Sequence, residues 1–165
     1  LNSGTASLHL ALRILGVKKE DKVLCPSLTF AASANVILFE NAHPIFVDSN
    51  PNTWVMDLVA CERAIQTHKP KALISVDLYG QSCDYDVLGD LCKKYNVLLI
   101  EDAAEALGSK YKGEYIGTFG DISTFSFFGN KTLTTGEGGM VASPNKDLIS
   151  DPDLILKSES IIVPS

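Results

Sequence analysis

Short apolar runs alternate along this chain with amphipathic stretches, and that alternation restricts the fold more than any other feature. The runs "KVLCPS" (22–27), "HPIFVD" (43–48), "KALISVD" (71–77), "NVLLIEDA" (96–103), "DISTFSFF" (121–128) and "GGMVAS" (138–143) are predicted strands, several of them apolar on both faces. Strands of that kind lie inside a parallel or mixed sheet covered on both sides. Between them "SLHLALRILG" (7–16), "FAASANVILFEN" (30–41), "DLVACERAIQTH" (57–68) and "YDVLGDLCKKYN" (85–96) carry helical periodicity, with Gly16 as a stop and Asp57 and Asp84 as caps. Strand then helix, repeated, places the chain in the α/β class. No internal repeat or low-complexity segment interrupts it, and "DSNPNTW" (48–54) is the clearest turn cluster.

At 165 residues, 45% hydrophobic and 21% charged, the chain can bury one core and forms one domain or a large piece of one. Its net charge of −6 and the absence of any Lys/Arg block argue against nucleic acid or an anionic membrane as partner. Cys25, Cys61, Cys83 and Cys92 form no CxxC pair, and His9, His43 and His68 have no ligand spacing between them. A reduced, metal-free, cytoplasmic protein is therefore expected. No apolar stretch is long enough to cross a bilayer, and no basic-then-apolar signal segment is present in the sequence.

In α/β sheets ligands collect beyond the carboxyl ends of the strands, and three candidates stand there. "NSGTAS" (2–7) leads into the first helix: Gly4 permits close backbone approach, and the amides of Thr5 and Ala6 with the Thr5 hydroxyl form an anion cradle. The plainer alternative is that Ser3 or Thr5 merely caps the helix. Asp102 closes the apolar strand "VLLIED" and is placed to meet a ligand cation, although Asp also ends many strands. Lys131 follows Ser126 and a phenylalanine-rich strand in "FSFFGNKTLTTGEGGM" (125–140), and a lone loop lysine is ordinarily just solvated.

Taken together and in order, "GTASLHLAL", "PSLTFAASANVI", "DLYGQ", "IEDAAEALGSKYKG", "GTFGDISTFSFFGNK" and "TTGEGGMV" make a more specific pattern. The sequence resembles the DegT/DnrJ/EryC1/StrS family of pyridoxal-phosphate sugar aminotransferases from about residue 1 to about residue 150. Its "FSFFGNKTLTTGEGG" wording is most similar to the perosamine-forming branch, which aminates carbon 4 of a GDP-linked 4-keto-6-deoxyhexose. The resemblance implies the large domain of a fold type I pyridoxal 5'-phosphate enzyme, a mostly parallel mixed sheet between helices. It implies that Lys131 is the Schiff-base lysine, catalytic as nucleophile and then as proton carrier. Asp102 would pair with the pyridinium nitrogen, keeping it protonated so that the ring draws electrons. Gly4, Thr5, Ala6 and Ser126 would hold the phosphate, Phe30 would stack on the ring, and Ala104 and Glu105 would lie behind the ring and near its 3′-oxygen. Many relatives carry Gln or His where this chain has Glu105.

The implied reaction moves an amino group from L-glutamate to a nucleotide-linked ketosugar, in surface-polysaccharide sugar biosynthesis, within a homodimer. Lysine at position 131, rather than the histidine of the family's dehydratase branch, favours transamination; a non-sugar aminotransferase or a cysteine desulfurase would have different lysine surroundings. Residues 1–150 are expected to form a partial large domain, incomplete at both ends. Residues 151–165 are expected to be a tail departing from the family, with no small C-terminal domain. A catalytically inactive α/β binding or assembly module is the alternative that these ends keep open.

Overall fold

The computed structural model of the protein describes residues 1–150; the tail expected at 151–165 lies outside the described residues. In chain order the elements are α1 (Gly4–Ile14), β1 (Lys22–Pro26), α2 (Ala32–Phe39), β2 (His43–Val47), α3 (Leu58–His68), β3 (Ala72–Val76), α4 (Tyr85–Tyr95), β4 (Leu98–Asp102), β5 (Lys110–Tyr111), β6 (Glu114–Tyr115), β7 (Ile122–Ser126), β8 (Gly139–Ala142) and α5 (Lys146–Ile149). Six strands form one sheet in the order β2-β1-β3-β4-β7-β8. All neighbours pair in parallel except β8, which runs antiparallel to β7. This is the α/β fold with a parallel or mixed sheet that the alternation of runs predicts, and its mostly parallel pairing is what the family resemblance implies.

Both faces of the sheet are covered, which is why its inner strands β1, β3, β4 and β7 are buried at nearly every position. Leu8 and Leu12 of α1 and Val36 and Ile37 of α2 pack with Val23, Ile74, Ile100 and Ile122 on one face. On the other, Cys61 and Ile65 of α3 and Leu88 and Leu91 of α4 pack with Leu24, Leu73, Leu99 and Phe125. Successive residues of one strand thus serve opposite cores, as the period-2 geometry of a strand requires. Each fully buried Leu or Ile contributes about 1.5–3 kcal/mol relative to exposure.

Asp57 and Asp84 cap α3 and α4 as expected, accepting from the N–H of Ala60 (2.7 Å) and Val87 (3.3 Å). Past α1, Gly16 takes a left-handed φ of 68°. Helix α1 begins at Gly4 rather than Ser7, because Ser3 caps it through the Ala6 N–H at 3.1 Å; the small residues of its first turn carry no apolar signal. The β5–β6 hairpin was not foreseen. Its two-residue strands are too short for periodicity, and its turn rests on positive φ at Lys112 (49°) and Gly113 (92°), the left-handed pair that tight hairpins favour. The turn cluster at 48–54 is closed by Trp54 N–H donating to the Asn50 carbonyl at 2.8 Å. All four cysteines are buried free thiols. Among the described residues no helix is long and apolar enough to cross a membrane, and no His/Cys/Asp/Glu group is arranged to hold a metal.

Candidate active site

Parallel pairing brings the carboxyl ends of β1, β3, β4 and β7 to one edge of the sheet, where the loops carrying the candidate residues emerge. Strand parity decides which face each residue meets. Asp102 stands two places beyond Ile100, and Ser126 four beyond Ile122, so both turn to the α1/α2 face. Asp102 is 6% exposed. Its Oδ2 accepts from the Ser33 hydroxyl in the first turn of α2 at 3.0 Å, and its Oδ1 from the Ala104 N–H at 3.2 Å. Burial pushes the Asp102 carboxyl above the usual carboxylate range, while the Ser33 and Ala104 bonds and the charge of Lys131 pull the other way. A buried acid balanced in this way gains from a cationic ligand.

Lys131 lies beyond β7, its backbone N–H donating to the Phe128 carbonyl at 3.0 Å. Its side chain is 17% exposed and its Nζ donates to Glu105 Oε1 at 3.4 Å. The second Glu105 oxygen accepts from the Tyr79 backbone N–H at 2.9 Å.

The N-terminus of α1 abuts the end of β7. A Cβ built on Gly4 would stand 2.8 Å from Ser126 Cβ, so only glycine lets the two backbones come this near. The first intrahelical bond runs from Ser7 N–H to the Ser3 carbonyl at 3.1 Å, and the amides of Gly4 and Thr5 precede it, as first-turn amides do. The Ala6 amide, expected in the cradle, instead donates to Ser3 Oγ. Gly139 completes the contact: a Cβ there would collide with the Ser3 carbonyl.

The structure therefore gathers Gly4, Thr5, Asp102, Ala104, Glu105, Ser126 and Lys131 around the ends of β4 and β7. Phe30 sits beyond β1, 75% exposed, so it does not belong to the core; its carbonyl accepts from the N–H of Ser33, the residue that holds Asp102. Ser33 and Tyr79 escaped the sequence reading because nothing in their spacing distinguishes a helical serine or a loop amide donor. A cavity of about 290 Å³, lined among others by Cys92, Asn96, Leu99, Phe119 and Asp121, opens at the opposite, amino end of β4, away from this cluster.

Comparison with known proteins gives the cluster a context. The DegT/DnrJ/EryC1/StrS aminotransferase family matches residues 1–158, eight residues into the segment expected to depart from it. A GDP-perosamine synthase of Escherichia coli O157:H7 is 53% identical over 163 residues, covering 99% of this chain and 44% of that protein. A UDP-4-amino-4,6-dideoxy-N-acetyl-beta-L-altrosamine transaminase of Campylobacter jejuni is 44% identical over 163 residues, covering 98% and 43%. The crystal structure of a DegT DnrJ EryC1 StrS aminotransferase from Brucella abortus superposes with a TM-score of 0.88 at 33% identity, covering 90% of this chain and 42% of that one. The chain thus spans less than half the length of these relatives.

Proposed function

This chain belongs to the DegT/DnrJ/EryC1/StrS aminotransferase family, and from that premise we propose that it is the cofactor-binding part of an enzyme transferring the amino group of L-glutamate to a nucleotide-linked 4-keto-6-deoxyhexose. Aminotransferases of this family depend on pyridoxal phosphate. The residues present fit that group: a buried carboxyl raised by desolvation, a helix N-terminus kept open by Gly4, and an amine at the next strand end. When bound, pyridoxal phosphate supplies an aldehyde that bonds amines and a cationic ring that draws electrons from the adjoining carbon.

The chain's own groups do the rest. Asp102 would accept from the ring nitrogen, and Ser33 and Ala104 keep its oxygens aimed, so little reorganisation would accompany charge development. The Gly4 and Thr5 amides and the Ser126 hydroxyl would hold the phosphate at the positive end of α1. Phe30 and Ala104 would pack against the ring. Lys131, its Nζ steadied by Glu105, would be the covalent partner and the proton carrier.

The observation that carries the reading is the meeting at one sheet edge of a buried carboxyl and a partly buried amine: Asp102, held by Ser33 and Ala104, ends β4, and the Lys131 amine, which follows the neighbouring parallel strand β7, donates to Glu105 three residues past Asp102. The likeness to a GDP-perosamine synthase favours a GDP-linked sugar. Exposed Phe128 and Leu133 beside Lys131 fit closure of the site by a second subunit, and four buried thiols fit a reducing cytoplasm.

The test is to incubate the protein with pyridoxal phosphate, reduce with borohydride and map the label. The whole enzyme of which this chain is the cofactor-binding part is then assayed with L-glutamate and GDP- or UDP-linked 4-keto-6-deoxyhexose, with the amino sugar read by mass spectrometry. Label on Lys131 of the 165-residue chain is expected with little or no turnover by that chain alone, and an amino sugar from the GDP substrate is expected of the whole enzyme. Label elsewhere overturns the site; label on Lys131 without product from either sugar in the whole enzyme supports the binding-module alternative.

A further inference from the structure

Beyond β3 the chain makes a tight turn at residues Leu78–Gly80 before entering α4. It is closed by Gly80 N–H to the Asp77 carbonyl at 3.1 Å and Gln81 N–H to the Leu78 carbonyl at 3.0 Å. At its centre Tyr79 adopts φ 54°, ψ 26°, a left-handed conformation uncommon for an aromatic residue and kept only where the surroundings enforce it. That conformation delivers the Tyr79 N–H to one oxygen of Glu105 at 2.9 Å, while the other oxygen faces Lys131 Nζ at 3.4 Å. The turn therefore fixes the carboxylate that steadies the amine.

What fixes the turn is Asp77, which is fully buried. Its backbone N–H donates to the Asp102 carbonyl at 3.2 Å, joining the ends of β3 and β4. Its Oδ1 accepts from the Cys83 N–H at 3.1 Å, spanning the turn from behind, and its Oδ2 accepts from the Tyr85 hydroxyl at 2.6 Å. Tyr85 is held in its turn, its oxygen 3.2 Å from Ser75 Oγ and its ring stacked on Phe119 with centroids 4.7 Å apart. None of these groups is among those expected to touch cofactor or substrate.

We propose that Asp77 is a positioning residue for Lys131, acting through the Tyr79 turn and Glu105. The proposal rests on Lys131 being the reactive amine, but its consequence is measurable without cofactor or substrate. A carboxyl that merely anchors the start of α4 would stabilise the fold and leave the amine untouched; one that orients Glu105 must change how Lys131 reacts.

The experiment measures reductive methylation of Lys131 in the cofactor-free protein with formaldehyde and cyanoborohydride, read by peptide mass spectrometry against exposed Lys18 as the reference. Glu105→Gln, which removes the charge facing the ammonium, is expected to speed methylation about two- to fivefold, the scale of one partly exposed ion pair. Asp77→Ala is expected to do the same, and Asp77→Ala with Glu105→Gln to do no more than Glu105→Gln alone, because coupled residues fail to add. Gly80→Ala perturbs the turn without touching the buried carboxyl, since Gly80 has φ +83° and its Cβ would meet Ser109 Oγ at 3.1 Å; it should give the same increase, and it decides the matter if Asp77→Ala does not fold. Asp77→Asn keeps both contacts, its amide oxygen accepting from Cys83 and its amide nitrogen donating to the Tyr85 oxygen, and should stay within about twofold of the unaltered protein. An unchanged Lys131 rate in folded Asp77→Ala or Gly80→Ala, additive effects in the double variant, or no effect of Glu105→Gln overturns the proposal. Because no step involves pyridoxal phosphate, a failed amine-transfer assay would leave this result standing, and the reverse.

Discussion

Replacing Gly4 by alanine tests the anion cradle through a single methyl group. The new Cβ would stand 2.8 Å from Ser126 Cβ, 3.1 Å from its Oγ and 3.4 Å from its Cα. Carbon atoms settle at about 3.5–4.0 Å, so α1 and β7 must part by roughly 1 Å. Neither yields freely: α1 is tied at its start by the Ser3 cap and by Leu1 N–H and carbonyl bonds to Gly139, both 2.9 Å, while β7 is paired on both edges. Overpacking of this kind costs about 1–3 kcal/mol of stability. A hydrogen bond to a charged acceptor contributes about 1.5–3 kcal/mol. Displacing one first-turn amide or the Ser126 hydroxyl by that distance should therefore weaken pyridoxal phosphate binding about 10- to 150-fold. The assay is a spectroscopic titration with pyridoxal phosphate and, in parallel, with pyridoxal, which has no phosphate to lose. Gly4→Ala should weaken the first and leave the second within about threefold. A folded Gly4→Ala protein that binds pyridoxal phosphate normally, or loses both ligands equally, refutes the cradle.

Three further outcomes are expected. Lys131→Ala should melt within a few degrees of the unaltered protein, because its ion pair with Glu105 is long and partly exposed and contributes less than about 1 kcal/mol. It should also take no borohydride-fixed label, and a label of ordinary yield would remove Lys131 from the site. Burial raises the Asp77 carboxyl from 3.8 to about 7, so the native state keeps a proton that the unfolded chain releases near the ordinary value. That stability is full below the unfolded value and is lost as pH rises toward 7, by about 4 kcal/mol at 1.36 kcal/mol for each pH unit. Asp77→Asn should flatten the decline in urea midpoints between pH 4.5 and 7.5, and an unaltered slope refutes the assignment. Finally, Phe30, Phe46, Trp54, Val59, Tyr79 and Phe128 are all more than half exposed, so the 165-residue chain made alone should self-associate, and a monomeric sedimentation profile at tens of micromolar would contradict that.

Much of the fold was legible because burial on both faces writes itself into composition. β3 is buried at every position from Ala72 to Val76, and a five-residue apolar run has few other places to go. Helices α3 and α4 were equally open to reading, since an Asp before an amphipathic stretch offers a cap whose bond needs no partner elsewhere in the chain. The hairpin at 110–115 and the short helix Lys146–Ile149 were not, because elements of two to four residues carry neither period.

The site divides along the same line. Asp102 and Lys131 were visible because their charges break an apolar or small-residue run, and Gly4 because glycine opens a helix there. The supporting groups were hidden by parity. Glu101 and Asp102 are adjacent acids in the sequence, yet the strand sends them to opposite faces. Glu101 accepts from the Gly117 and Phe119 N–H groups at 2.7 and 2.6 Å and fixes the loop before β7, whereas Asp102 meets Ser33 beside the cradle. A one-residue shift in the register of β4 would exchange the two, putting the loop-holding acid into the site and the site's acid into the α4 core. The proposed cofactor-binding role of Asp102 therefore depends on the pairing of Asp102 with Val76 and Thr124. Asp77 follows Val76 directly, so the N–H it donates to the Asp102 carbonyl carries that register past the end of the strand and into the turn that reaches Glu105.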